Sequence, residues 1–195
     1  MNRVDAVLLP IDTPVLPKGR KALKIVTPGQ LRRLAECLQH PQPWLVVCMN
    51  RDDDNPLPCY PLATRVAITD FYSLDDGTLT VVVEGQQKVR ISDVWAEADG
   101  VWMGKVLPVP NWPQRPLEQT YEMVGTALER LYEQEPKLGD LYPNPDLQDA
   151  SWISQRWLEV LPLMEKDKQM LMAQPDCRKT MRYVLQLIMS KQEAE

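Results

Sequence analysis

The feature that most restricts what this chain can fold into is a change of hydrophobic period at one place. Residues 108–116, PVPNWPQRP, hold four prolines in nine positions, and apolar residues repeat differently on either side of them. Before the segment the dominant period is two. The runs PWLVVCM (43–49), TRVAITDFY (64–72), GTLTVVVEG (77–85), QKVRISDVW (87–95) and GVWMGKVLPV (100–109) are rich in Val, Ile, Thr and aromatics. Gly, Pro, Asn and Asp punctuate them, as strands require. Asp76-Gly77 and Asp99-Gly100 lie between such runs and predict hairpins. Together they predict a small antiparallel sheet, curled or closed. One helix interrupts it. Thr27 supplies an N-cap, Pro28 the first helical position and Gln30 the third. Leu31, Leu34, Ala35 and Leu38 then form an apolar face, with Arg32, Arg33 and Glu36 off it.

Beyond the prolines the period becomes 3.6. Leu117, Tyr121, Val124, Leu128 and Leu131 make one stripe across 116–135, stopped by Pro136. A second helix is expected from Leu147 to Leu161 with Ile153, Trp157, Val160 and Leu161 inward. A short one (165–173) and a last one (176–191) follow, the latter with Cys177, Met181, Val184, Leu185 and Ile188 inside. The fold class is therefore α+β: a β lobe over 1–110 and a helical lobe over 111–195.

Charge and composition narrow the function. The net charge is −5, with 27 acidic against 22 basic side chains, whereas nucleic-acid binders present a basic face. The one local basic excess, Lys18, Arg20, Lys21 and Lys24, reads as a solvated strand edge that discourages sheet-to-sheet association. The four cysteines form no C-x-x-C pair. The amino terminus is too short in apolar residues for a signal peptide, and no stretch approaches a membrane span. The expectation is a cytoplasmic protein with reduced, mostly buried thiols.

Chemistry is sparse. The single histidine, His40, ends a helix three residues after Cys37, and no acid-base tuning surrounds it. Scattered cysteines and a lone histidine match no zinc spacing. None of the eight glycines stands in a phosphate-loop arrangement. Asp52-Asp53-Asp54 lacks the glycine and terminal glutamate of a calcium loop and reads as a solvated loop. No catalytic residue, metal or cofactor is expected.

The apolar surplus is more informative. With a two-residue turn at Asp99-Gly100, Glu97 would oppose Trp102 and Trp95 would oppose Gly104. Trp95, Glu97, Trp102 and Gly104 would then share an outer face. Two covers compete for it. The helical lobe packs over those rings, or Trp95 and Trp102, joined by the linker residue Trp112, form a surface for apolar segments of other proteins. The nine methionines, Met164, Met170 and Met172 among them, admit the same two readings.

The order of segments resembles the amino-terminal, substrate-binding (LON) domain of the Lon ATP-dependent proteases. The opening Leu-Pro strand VLLPIDTPVLPKGRKALKIV, the capped helix TPGQLRRLAECLQ and the strand PWLVVCM come first. Tyr60, Ala63 and Thr64, then Asp76 and Gly77, then Val81, Val83, Gly85, Lys88, Arg90 and Ile91 occupy the family's landmark places. In the helical half Trp152 or Trp157, Glu159, Leu161, Pro162, Lys168, Gln169 and Leu171 do so. The start of the helix departs from the family: Val26-Thr27-Pro28-Gly29-Gln30 stands where a Phe/Tyr-Glu-Pro-Arg-Tyr pattern is usual. The resemblance implies a PUA-like antiparallel β-barrel with one helix, followed by a C-terminal helical bundle. It implies a non-catalytic module that binds unfolded or extended polypeptide segments, without the ATPase and Ser-Lys peptidase domains of a whole Lon protease. A protease acting in trans is an expected partner; nucleic acid and membrane are not. The alternative is a PUA-like RNA-binding module.

Overall fold

The computed structural model describes residues 3–51 and 55–192; the Asp52-Asp53-Asp54 run lies outside the described residues. Among the described residues, six strands and six helices divide into two compact units, Met1–Asn111 and Trp112–Glu195.

The first unit carries β1 (Val4–Ile11), β2 (Arg20–Ile25), α1 (Pro28–Gln39), β3 (Trp44–Met49), β4 (Leu62–Ser73), β5 (Leu79–Ala96) and β6 (Trp102–Pro108). The pairing order is β2-β5-β4-β3-β1-β6, and β6 pairs in turn with β5. β1 and β3 are parallel, which corrects the expectation of a purely antiparallel sheet. The chain between Ile11 and Trp44 makes β2 and α1, and only a crossover of that length can join parallel neighbours. β2 stands at the end of the pairing order, so Arg20, Lys21 and Lys24 do occupy an edge strand.

The two valine-rich runs flanking Glu84-Gly85 are one continuous strand of 18 residues. Gly85 is a crossing point within it. Lys18 donates its N–H to the Gly85 carbonyl at 2.7 Å, and the Gly85 N–H is received by the Gly19 carbonyl at 2.8 Å. A Cβ placed on Gly85 would lie 2.0 Å from the Leu16 carbonyl oxygen, so only glycine admits the crossing chain. Val81 and Val83 enter the core formed with Val7, Leu9, Val47 and Met103. Ala6, Leu8, Val46, Val89 and Val106 make a second cluster.

Both Asp-Gly hairpins use the same three-residue loop. Leu74 N–H donates to Thr78 O, and Glu97 N–H to Val101 O, both at 2.9 Å. The glycines take φ of 80° and 79°, and the Asp76 and Asp99 carboxylates accept the N–H of Thr78 and Val101. A type I turn with a glycine bulge therefore replaces the two-residue turn. The added residue shifts the pairing to Trp95 opposite Met103 and Ala96 opposite Trp102. A one-residue slip reverses faces: Trp95 packs on the Val7–Met103 core, and Trp102 against the other cluster.

α1 has the predicted capping box between Thr27 and Gln30. Its facing differs from the periodic reading. Leu34 is buried, but Leu31 is 49% and Leu38 61% exposed. Cys37 packs against the core instead. The cause is electrostatic. Asp99 pairs with Arg32 and lies 3.6 Å from Arg33 Nε, while Glu36 takes Arg33 Nη1 at 3.0 Å. The backbone N–H of Val101 and those two guanidiniums hold the Asp99 carboxyl below its usual range. The helix thus turns its arginines to the 97–101 loop and Leu31 and Leu38 outward.

The second unit opens with a 3₁₀ turn at Gln119–Tyr121, followed by α2 (Glu122–Gln134), α3 (Pro136–Gly139), α4 (Ala150–Val160), α5 (Glu165–Met172) and α6 (Arg178–Gln192). Asp149 caps α4 by accepting the Ser151 N–H at 2.9 Å. Val124, Leu128, Ile153, Leu158, Met181 and Val184 are buried. Tyr132 stacks on Tyr142 at 5.3 Å, and Trp152 meets both edge-on. Arg156 is fully buried beneath Tyr142 and Trp152 and donates twice to Glu159, at 2.8 and 3.0 Å.

Candidate functional site

Of the three tryptophans expected to act together, Trp95 and Trp102 belong to the first unit and Trp112 to the second. Trp95 is half-buried, its indole N–H donating to Glu97 at 2.9 Å. Trp102 is half-buried on the opposite face of the hairpin. Trp112 is buried, its N–H donating to the Gln174 carbonyl at 2.7 Å. The slipped register places the other two rings on opposite faces of the hairpin.

A groove of about 260 Å³ in the first unit has more of the character of a binding site. One wall is the end of α1 and the turn after it, with Cys37, Leu38, His40 and Pro41. The other is β4 from Arg65 to Ile68, and Leu45 of β3 contributes between them. Beside this groove β4 has an open edge. β5 pairs with β4 from Leu62 to Ser73, whereas β3 pairs with its other edge only at Arg65 and Thr64. From Val66 to Ser73 that edge carries no strand among the described residues. A bulge between Ile68 and Asp70 interrupts its flatness, as edges often require. Farther along, Phe71 is 67% exposed.

A second depression, of about 420 Å³, lies between the start of α1 and the 75–78 loop. Val26, which is 80% exposed, and Leu31 line it. Val26, Leu31, Leu38 and Phe71 thus place large apolar side chains in water on the unit that carries the groove.

Cys37 and His40, the pair weighed for nucleophilic chemistry, do line the same groove. Burial, with the Glu36 carboxylate adjoining, pushes the Cys37 thiol up to about 11. A thiol that stays protonated at neutral pH is a poor nucleophile, so the groove is equipped for contact. Cys48, Cys59 and Cys177 are buried and all four thiols are free. No group of three or more His, Cys, Asp or Glu placed to hold a metal occurs among the described residues.

The groove offers apolar side chains, the His40 imidazole, the Gln86 amide, one guanidinium and a strand edge. Arg65 lies with its guanidinium 4.2 Å from the centre of the Trp44 ring. Sequence reasoning did not reach Arg65, Trp44 or which strand edge stays open. Arg65 alternates within a strand pattern like any solvated residue, and an edge is defined by which neighbour stops short.

The sequence profile of the family described as the ATP-dependent protease La (LON) substrate-binding domain matches residues 6–190. The chain belongs to that family. Among solved structures, the LON fold recurs in the Lon N-terminal domain protein from Xanthomonas campestris. That protein has a TM-score of 0.72 and 22% identity, over 93% of this chain and 97% of the other. The N-terminal domain of Mycobacterium avium complex Lon protease aligns with a TM-score of 0.62 and 15% identity, over 95% and 97%. At those identities the likeness concerns the fold. A search of curated protein sequences returns no match to the chain. No helix among the described residues is long and apolar enough to cross a membrane.

Proposed function

We propose that this LON-family chain is a non-catalytic module that binds exposed apolar, extended segments of other polypeptides. The observation that carries the reading is the groove beside α1, with apolar walls and an open β4 edge within one surface. An extended chain satisfies its own N–H and C=O groups by joining a sheet edge, and side-chain pockets beside the edge add selectivity. A folded protein has already paired those groups, so the site discriminates against it.

In this reading the β5–β6 pairing closes a PUA-like barrel and the second unit packs as a helical bundle, the two forming one LON-type domain in the cytoplasm. The module delivers or holds clients and leaves cleavage to a protease acting in trans. The family's substrate-binding description supports the client class, and the protonated Cys37 thiol supports contact over chemistry.

The experiment is a pull-down with the immobilised protein. A reduced, carboxymethylated protein, which cannot refold, is expected to be retained, while the same protein in its native disulfide-bonded form passes through. Equal retention of both, or of neither, contradicts the reading.

A further inference from the structure

We propose that Arg65 receives the C-terminal carboxylate of an extended polypeptide added antiparallel to the open edge of β4. The inference rests on the polypeptide-binding reading and specifies which part of the client is recognised.

Three observations converge. First, Arg65 holds no carboxylate among the described residues; its guanidinium lies over Trp44. Arg20 and Arg33, also half-buried in the same unit, hold Glu84 at 2.7 Å and Glu36 at 3.0 Å. Arg65 is half-buried like them and has no acid beside it among the described residues. Stacking on the indole face fixes the guanidinium plane and leaves its N–H fork for an incoming anion.

Second, Arg65 stands where the open edge ends. β3 pairs with β4 at Arg65 and Thr64 and occupies the edge from there on. A strand added along Val66–Ser73 therefore stops at Arg65. If it runs antiparallel to β4, its C-terminus arrives there; if parallel, its N-terminal ammonium would. Arg65 attracts the first and repels the second, so charge selects the direction. A carboxylate meeting a guanidinium can form two parallel charged hydrogen bonds, the strongest that side chains make.

Third, the groove sets apolar side chains among its lining residues. Leu38, Pro41, Leu45 and Ile68 line it, giving the last side chains of the guest a dry wall beside the captured carboxylate. Pairing along β4, a charge at the terminus and apolar seating next to it together define an extended chain with a free, apolar C-terminal end.

The test uses a fluorescein-labelled peptide of about eight residues, the length of the open edge, alternating Thr and Val and ending in Leu. Fluorescence anisotropy compares its free acid, its C-terminal amide, an amide carrying one internal Glu, and an acid N-methylated at alternate backbone positions. The free acid is expected to bind. The simple amide should bind about tenfold more weakly or worse, the internal Glu should not restore binding, and N-methylation should weaken it. In Arg65→Gln the acid and amide should bind alike, and Arg65→Lys should recover part of the difference. The acid-amide comparison is made on the unaltered protein, so it stands even if a variant misfolds. Equal binding of acid and amide, rescue by the internal Glu, or indifference to N-methylation overturns the inference while leaving polypeptide binding intact. No binding of the acid peptide by a protein that still retains the carboxymethylated client overturns it too. Failure to retain either peptide or client overturns the polypeptide-binding reading, and this inference with it.

Discussion

The two units differ in which polar side chains they bury and which apolar ones they expose. The first buries a mainly apolar set, with Thr64, Thr80 and Lys88 as its buried polar side chains, and leaves Val26, Leu31, Leu38, Leu57, Phe71 and Tyr72 exposed. The second takes Arg156, Ser154, Gln155, Lys168 and Thr180 inside, and the large apolar side chains it exposes are all methionines: Met123, Met164, Met170 and Met189. Buried charge is costly unless held by partners, so Arg156 needs Glu159, Tyr142 and Trp152 in defined places. Exposed branched and aromatic residues have no such internal reason. The second unit spends its specificity on its own interior, while the first directs shape-defined apolar groups outward. That contrast favours the first unit as the place of the proposed binding surface. The expected cluster of Met164, Met170 and Met172 is itself divided, since Met172 is buried.

The comparison can be broken most severely at Gly85. Gly85→Ala should destabilise the first unit by roughly 4 kcal/mol or more, because the new methyl meets backbone that cannot move aside. Denaturant unfolding read by far-ultraviolet circular dichroism measures it, and a loss under about 1 kcal/mol would mean that the crossing chain is loosely held. Next in size is Arg156→Ala, expected to cost about 3 kcal/mol by leaving Glu159 facing an apolar interior. A neutral result would show that the second unit does not depend on its buried charge.

Smaller in stability and larger in function is the pair Leu31→Gln and Leu38→Gln. Both side chains are exposed, so unfolding should change by no more than about 0.5 kcal/mol. Retention of an unfolded client should nevertheless fall several-fold. A drop in stability without a drop in binding would make those leucines packing residues. The smallest effect is chemical. With its thiol pushed up to about 11, Cys37 exists as thiolate only above that pH, and native-state alkylation by iodoacetamide should still be accelerating at pH 10. A plateau near pH 9 would mean that burial does not hold the proton. Bound client should slow the reaction, because Cys37 lines the groove.

Local chemistry was the legible part of the fold. Thr27-Pro28-Gly29-Gln30 marks the start of α1 because a capping box is complete within four residues. The period change near residue 110 lies at the division between units, since each period reflects what a local element buries. What escaped was set by distant partners. Leu31 and Leu38 look buried by spacing, yet Asp99 on a remote hairpin captures Arg32 and rotates the helix. Gly85 reads as a break but lies inside one strand, because the segment that needs its missing side chain is Leu16-Pro17. The Trp95–Trp102 register failed on a single residue of loop length, which the Asp-Gly dipeptide alone does not determine. The groove could not be read at all: an open edge exists only because β3 stops pairing at Arg65.

The most direct test of the account is amide hydrogen exchange along β4, followed by mass spectrometry with and without a saturating carboxymethylated client. Alternate amides from Val66 to Ser73 point away from β5 toward an edge with no strand among the described residues, so the bound client should slow exchange there and in the turn after α1, with α4 unchanged. Protection confined to the second unit, or a client that binds tightly while β4 exchanges as before, would contradict it.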